Sequence, residues 1–510
     1  MKKLHILLAF VFVIYNLSAQ SAIIVSDIGS NTVWSCDTTY FLKNVIRVKN
    51  NATLTIQPGT TIKGSAMAPF GALVITRGSK IIADGTLQHP IIFTSDSSDL
   101  IDSHWGGLHL LGKAPTNCFG LAQFCYDIVG GGVEPDSIYG GTSPNDTSGI
   151  LRYVIIEGGG RNYEPVEASN RGLSLAGVGD GTILEFVKVS HSEGDGIGFY
   201  GGTVNARYLF LQNNFDEDLD FILGYTGKIQ FVYALRNSAS TWTNSYAIDS
   251  QNDQAGTQNE PFTKAVISNL TVLLPDNAPS SNYKQAIFLR RNSKTSIFNA
   301  AVIGKFTGGV RLSNQNDSTE FKHVFLGGPT TAAADLPSTI WFYTPGWGNQ
   351  WFADANNLGT PNWLLGNPLP AINSLLAGGA SFSISPQLQD PFFEPVPYAG
   401  AFWDIDWTLG WASGTKINCQ ALSTHFLKSE ETWQIFPNPI LEGFWIKNKA
   451  LSSCEFQFQL IDLSGKMMQE GKTNYPAVFI ERGNLPAGFY FLRLTANTLN
   501  KQQVIKLTFE

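Results

Sequence analysis

The chain has 510 residues, a formal net charge of −7 and only 15% charged residues, with 50 glycines and 24 prolines. It has no basic tract, and nucleic acid is excluded as a partner because phosphate binding needs clustered Lys and Arg. Lys, Glu and Met are scarce, while Gly, Asn, Ser and Thr punctuate short Val/Ile/Phe/Leu runs; this excludes a helical fold and reads as all-β.

The start is an export signal. Met1-Lys2-Lys3 is basic, Leu7 to Leu17 is almost wholly apolar, and Ser18-Ala19-Gln20 offers small residues for cleavage. The apolar run is too short to cross a bilayer, so residues 1–20 read as a secretory signal peptide. The first cysteine is Cys36, which predicts an exported form without a lipid anchor. No later run reaches 18 apolar residues, so no transmembrane helix is expected. Five cysteines allow at most two internal disulfides. Cys118 and Cys125 are close enough to close a small loop, and the pairing of Cys36, Cys419 and Cys454 stays open.

Residues 21–330 repeat one kind of unit. Ala52-Thr53-Leu54-Thr55-Ile56, Thr61-Ile62-Lys63-Gly64, Ala72-Leu73-Val74-Ile75-Thr76 and Lys80-Ile81-Ile82-Ala83 are short strands separated by Gly-centred turns. Ile150 to Glu157, Gly181 to Val189, Val204 to Leu211, Ala265 to Leu273 and Ser296 to Ile303 continue the series. The runs recur about every 20 to 30 residues, the period of a β-solenoid. Tandem β-sandwiches are the alternative and would show more hairpin turns. The solenoid reading points Ile62, Val74, Ile92, Ile155, Val187 and Leu209 into the core, and gives Asn269 to a left-handed turn that ladders with its neighbours. The segments Gly85 to Ser95, Trp105-Gly106-Gly107-Leu108 and Gly194 to Val204 resemble right-handed parallel β-helices of the pectate-lyase-like kind. They resemble in particular exported Gram-negative surface proteins with such a body.

The densest acidic constellation is Asn213-Asn214-Phe215-Asp216-Glu217-Asp218-Leu219-Asp220, with Asp195 about one coil earlier. Alternating carboxylates on a solenoid edge can gather the oxygen ligands that Ca²⁺ takes. Asp195, Asp216, Asp218 and Asp220 are therefore the candidate calcium ligands, with Asp249, Asn252 and Asp253 as additions. The alternative is a solvated acidic turn. A polysaccharide lyase would also need a base, for which Arg290, Arg291 and Lys294 are candidates. A glycoside hydrolase would need two acids about 5 to 10 Å apart. The seven histidines form no zinc spacing, and neither a nucleotide loop nor a nucleophile elbow is present.

Residues 331–421 concentrate aromatics, from Trp341 to Trp411. They read as a cap that seals the open end of the solenoid or as its final coils, or else as a set of rings that stack on sugars. Residues 422–431 read as a linker. The final segment, 432–510, carries Phe436-Pro437-Asn438-Pro439, then Leu460 to Lys466 with Gly465, then Leu485 to Leu494 with Gly488 and Tyr490. That order of motifs resembles the type A C-terminal sorting domain of the type IX secretion system. The resemblance implies a β-sandwich of about seven strands that engages the secretion machinery, and delivery to the medium or to the outer-membrane surface of a Gram-negative cell. The sequence thus predicts an exported β-helix that works by binding or adhesion, with polysaccharide as the expected partner. Polysaccharide lyase or glycoside hydrolase activity is the alternative.

Overall fold

The computed structural model describes residues 20–100, 104–118, 125–126, 135–161, 171–236, 243–275, 282–313, 318–403, 405–413, 433–436, 440, 442–448, 456–462, 466–473, 477–496 and 501–509. All of the signal peptide but Gln20, the linker over 422–431, and Pro437, Asn438, Pro439 and Gly465 lie outside them. Residues 1–418 and 419–510 form two compact units, each taken by itself below. No helix among the described residues is long and apolar enough to cross a membrane. Cys36 and Cys118 are both in disulfides.

The body is a right-handed parallel β-helix. Its strands form a fifteen-stranded sheet and a ten-stranded sheet, and successive coils add strands alternately to each. Every pairing between the coils' strands in these two sheets is parallel, as coils stacked in register require. Val187, Leu209, Val232 and Leu270 stack in one inward column, one residue per coil. Leu173, Ile197, Leu219, Ile248, Ile287 and Val310 form the facing column on the other sheet. Both columns belong to one continuous apolar core, so each coil buries its face only against its neighbours.

A second row runs along the long sheet. Tyr153, Phe186, Tyr208, Phe231, Asn269, Asn299 and His323 all hold positive φ, between 48° and 61°. Each bends its strand and lets two consecutive side chains leave the core. In Ile183–Ser190, Leu184 and Val187 point in while Glu185 and Phe186 point out. An aromatic residue in this conformation costs about 1–2 kcal/mol. Stacking offsets that cost: ring centroids are 4.5 Å apart for Tyr153–Phe186, 4.4 Å for Phe186–Tyr208 and 4.9 Å for Tyr208–Phe231.

The aromatic-rich segment departs from the cap reading. Its first part adds the final coil, with Thr331–Ala333 on the ten-stranded sheet and Gln350–Phe352 on the long one, and between them helix α1, Leu336–Phe342, sets Phe342 and Trp341 against Phe321. The chain then turns back and runs as a strap over the outer face of the long sheet. The row of positive-φ residues is its track. Asn299 Oδ1 accepts from Ser381 N at 2.9 Å, and Asn269 Nδ2 donates to Tyr398 O at 2.9 Å. Trp407 meets Tyr208 edge-on, and Trp411 does the same to Phe186 and Tyr153. Lys188 Nζ donates to Ala412 O at 3.0 Å, near the end of the strap. The strap's rings therefore pack on protein, which removes Phe402, Trp407 and Trp411 from the sugar-stacking alternative.

The strap also corrects the core assignment. Ile62, Val187 and Leu209 do point inward. Ile92 and Ile155 are buried but face outward, under the strap, with Phe210, Tyr233 and Trp411. Val74 lies on the outer face of the ten-stranded sheet with Leu111, Tyr139, Ala176 and Tyr200. Burial on both faces leaves these strands without a polar side to mark their orientation.

Trp411 is fully buried, and replacing it with Ala should cost about 3–5 kcal/mol. The loss should fall on the strap alone. Trp411→Ala is expected to keep the parent's far-UV dichroism while limited proteolysis cuts at 403–413, where the parent resists.

In the 419–510 unit a three-stranded and a four-stranded antiparallel sheet share one core of Phe444, Ile446, Leu460, Leu492, Leu494 and Leu507. This is the sandwich expected of a sorting domain, with seven strands among the described residues.

Candidate functional site

The acids collect on the outer face of the ten-stranded sheet. The turn before the strand Leu219–Ile222 is built by Asn213 and Asn214. Asn213 supplies a positive φ of 56°. Asn214 Oδ1 accepts from Ser192 N at 3.2 Å, and its Nδ2 donates to Asp218 Oδ1 at 3.0 Å. Phe215 N donates to Ser192 O at 3.0 Å and Glu217 N to Asp195 Oδ1 at 3.2 Å. The acidic turn thus sits directly on the Ser192–Asp195 turn of the coil before it. As a result, Asp195, Asp216 and Glu217 bring their ligating oxygens within 4.8 Å of one another.

Asp218 and Asp220 are held differently. The Asp218 carboxylate is fully buried and lies 2.7 Å from Arg236 Nη1, itself fully buried. Arg236 Nη2 also donates to Asp216 O at 2.7 Å, so this arginine ties down the backbone of the turn. For Asp218 both expectations give way, the calcium ligand because Asn214 and Arg236 occupy its oxygens, and the solvated turn because its carboxylate is fully buried. Asp220 shares Arg171 with Asp195: Arg171 Nε is 2.7 Å from Asp195 Oδ2 and Nη2 is 2.9 Å from Asp220 Oδ2. The other Asp220 oxygen is buried and has no hydrogen-bond partner among the described residues. Asp249 stands opposite Asp220 in register and takes Arg290, with Nη2–Oδ2 at 2.6 Å.

The structure therefore brings Asp249 and Arg290 into the constellation. Asn252 and Asp253 stay in a loop of their own, where Asp253 Oδ1 accepts from Ala255 N at 2.9 Å. Arg291 Nη1 donates to Gln251 Oε1 at 2.7 Å, and Lys294 Nζ lies 3.2 Å over the Phe262 ring. The proposed lyase bases are thus all engaged, Arg290 most closely.

Six carboxylates, Asp195, Asp216, Glu217, Asp218, Asp220 and Asp249, face three guanidinium groups. The excess negative charge shows in proton affinity. Burial, then the Asp195 charge, pushes Asp216 up to about 6. Burial and the charges of Asp195 and Asp216 hold Glu217 well above the carboxylate range. Asp220 rises to about 7, through burial and Asp195 and against the pull of Arg171. Burial also raises Asp249, with Arg290 opposing. A buried negative cluster of this kind calls for protons or a cation.

The same face carries other buried polar groups. Arg171 lies 4.9 Å over the Tyr200 ring, and the Tyr200 hydroxyl has no hydrogen-bond partner among the described residues. His109 shares a register column with Ser174, Gly198 and Asp220. Its Nε2 is 2.9 Å from Gly106 O, burial lowers its pKa to about 4, and Nδ1 has no partner among the described residues. Sequence reasoning did not single out Glu217 as a ligand, nor Arg171, Arg236 and Tyr200. Only the coil register places them, and unequal coil lengths hide that register.

Two family descriptions match. Residues 26–332 match the pectate-lyase-like β-helix domain, and residues 434–507 match the secretion system C-terminal sorting domain. No curated protein matches the chain. A solved structure of PorZ, described as an essential bacterial surface component of the type-IX secretion system of human oral-microbiomic Porphyromonas gingivalis, is similar at 14% identity and TM-score 0.15. That likeness covers 17% of this chain and 12% of PorZ, so the chain spans only a small part of that protein's length. The sorting tail makes the protein a secreted or cell-surface one, served by the type IX secretion machinery. With the family's description matching more than half of its length, the chain belongs to the pectate-lyase-like β-helix domain family.

Proposed function

We propose that this exported β-helix is a binding protein for carbohydrate, and that its site is a Ca²⁺-dependent one on the outer face of the ten-stranded sheet. The observation that carries the reading is the approach of Asp195, Asp216 and Glu217 to within 4.8 Å in a cluster whose arginines do not balance its charge. Ca²⁺ suits oxygen donors of this kind and accepts irregular geometry. Carbohydrate is supported by the match of the body to the pectate-lyase-like β-helix description.

The test is affinity electrophoresis of the purified chain through gels containing neutral or acidic glycans. Retardation by at least one glycan with Ca²⁺, abolished by chelator, is the expected result. Equal mobility in every gel would sink the reading. A glycoside hydrolase is the second reading, because Asp216, held at about 6, is suited to carry a proton as a general acid. It predicts new reducing ends in the same glycan panel.

A further inference from the structure

Of the three converging carboxylates, Asp195 is already engaged at both oxygens. Its Oδ1 accepts from Glu217 N at 3.2 Å, and its Oδ2 lies 2.7 Å from Arg171 Nε. A cation drawn to Asp195, Asp216 and Glu217 must therefore share Asp195 with these two groups. The Glu217 amide is fixed by its turn. Arg171 is a side chain, and its surroundings let it move. It stands opposite Asp195 in register, on the strand of the coil before, and reaches across the strand Asp195–Tyr200 to Asp220. Gly198 opens that path, since a Cβ there would lie 3.1 Å from both Cγ and Nε of Arg171. The Tyr200 ring, 4.9 Å from the guanidinium, gives it a flat face to slide on. The grip on Asp220 is a hydrogen bond, Nη2 to Oδ2 at 2.9 Å. The second Asp220 oxygen, Oδ1, is buried and has no hydrogen-bond partner among the described residues, so Asp220 can take the guanidinium by two prongs.

We propose that Arg171 is a built-in competitor of the cation: it neutralises Asp195 in the cation-free protein, and it swings onto both oxygens of Asp220 when a divalent ion takes Asp195. The inference rests on the Ca²⁺-dependent reading above and adds what sets the affinity of that site. Two cations at one carboxylate repel each other, so an entering ion must displace the guanidinium or bear its repulsion. The result is a weak site, with Kd in the range of extracellular calcium modules, about 10⁻⁴–10⁻³ M. Such a site stays empty at the low calcium of a cell interior and fills outside it, where the sorting tail delivers the protein. Arg236 and Arg290 do not compete in this way, because their carboxylates, Asp218 and Asp249, lie outside the converging three.

The experiment is calorimetric titration of the full purified chain with calcium chloride at pH 8, for the parent and three variants. Arg171→Gln removes the competitor and should bind calcium roughly tenfold tighter. Arg171→Gln with Asp220→Asn removes one charge of each sign, which leaves the net charge of the parent, and should keep most of that gain. Asp220→Asn alone leaves Arg171 to Asp195 and should bind roughly threefold weaker or worse. Far-UV dichroism checks the fold of each variant. If Arg171→Gln alone fails to fold, the charge-balanced pair carries the test. Weaker binding by the Arg171 variants would overturn the proposal, because Arg171 would then position Asp195 rather than contest it. Parent-like binding by the charge-balanced pair would also overturn it, because net charge alone would then account for any gain in Arg171→Gln. In both of these cases the parent still binds calcium and the site itself stands. A parent that binds no calcium overturns the site and its competitor together.

Discussion

Leu209→Asp should abolish the cooperative fold of the body. Leu209 is fully buried in the inward column, with Val187 on the coil below and Val232 on the coil above. A carboxylate there has no cation within the core and no route to water, so the expected cost exceeds about 4 kcal/mol. Whole domains are stable by only about 5–15 kcal/mol, and a solenoid passes the damage to both neighbouring coils. Ile155→Asp is the informative companion. Ile155 is equally buried but lies outside the coil, beneath the strap. There the strap can lift and hydrate the new charge, so the body should keep its melting transition within a few degrees while the strap becomes protease-sensitive. Thermal melts followed by far-UV dichroism would separate the two. Complete unfolding by Ile155→Asp would show that the strap is no separable layer.

The contrast between Leu209 and Ile155 marks where the sequence stops being legible. Strand positions could be read, because β-branched and apolar runs broken by Gly-centred turns have one physical meaning. Facing could not. Alternation assigns a face only when the other face is polar, and Ile92, Ile155 and Val74 have apolar cover on their outer side. The positive-φ row adds a second difficulty, since each bend shifts the period-two pattern by one position mid-strand. Asn269 could be expected there because Asn tolerates that conformation; Tyr153, Phe186 and Tyr208 could not, because bulky side chains avoid it. They hold it as a stack, and a stack is a property of several coils together. The acidic site divides the same way. The run from Asp216 to Asp220 and the neighbouring Asp195 were visible as composition. Which of them meet depended on Arg171 and Arg236, whose positions follow from coil register alone.

Asp216→Asn should change stability in opposite directions with and without calcium. Asp216 has an ordinary value of 3.8 and is held at about 6 in the folded chain. A carboxyl raised in this way binds its proton more tightly when folded, so its contribution to stability is lost as pH rises from about 4 to about 6. Above that window the fold carries a charge that it disfavours. In chelator at pH 8 the asparagine variant should therefore be more stable than the parent, on the order of 1–3 kcal/mol, and near pH 4 the two should agree. Comparing variant with parent cancels the opposing effect of His109, held at about 4, whose neutral burial costs stability as pH falls below 6.5. Calcium should reverse the order. Bound to the native state alone, it stabilises the parent by about 2.7 kcal/mol at a hundredfold excess over Kd. The variant has lost one of the three converging carboxylates and should gain much less. Calcium should also bind the parent more tightly at pH 8 than at pH 5 and release protons near pH 6, because the metal needs Asp216 ionised. Thermal melts across that pH range, with calcium and with chelator, measure all of this. If calcium leaves both proteins unmoved and the variant still gains at pH 8, the cluster is a proton-holding acidic turn and the cation proposal fails.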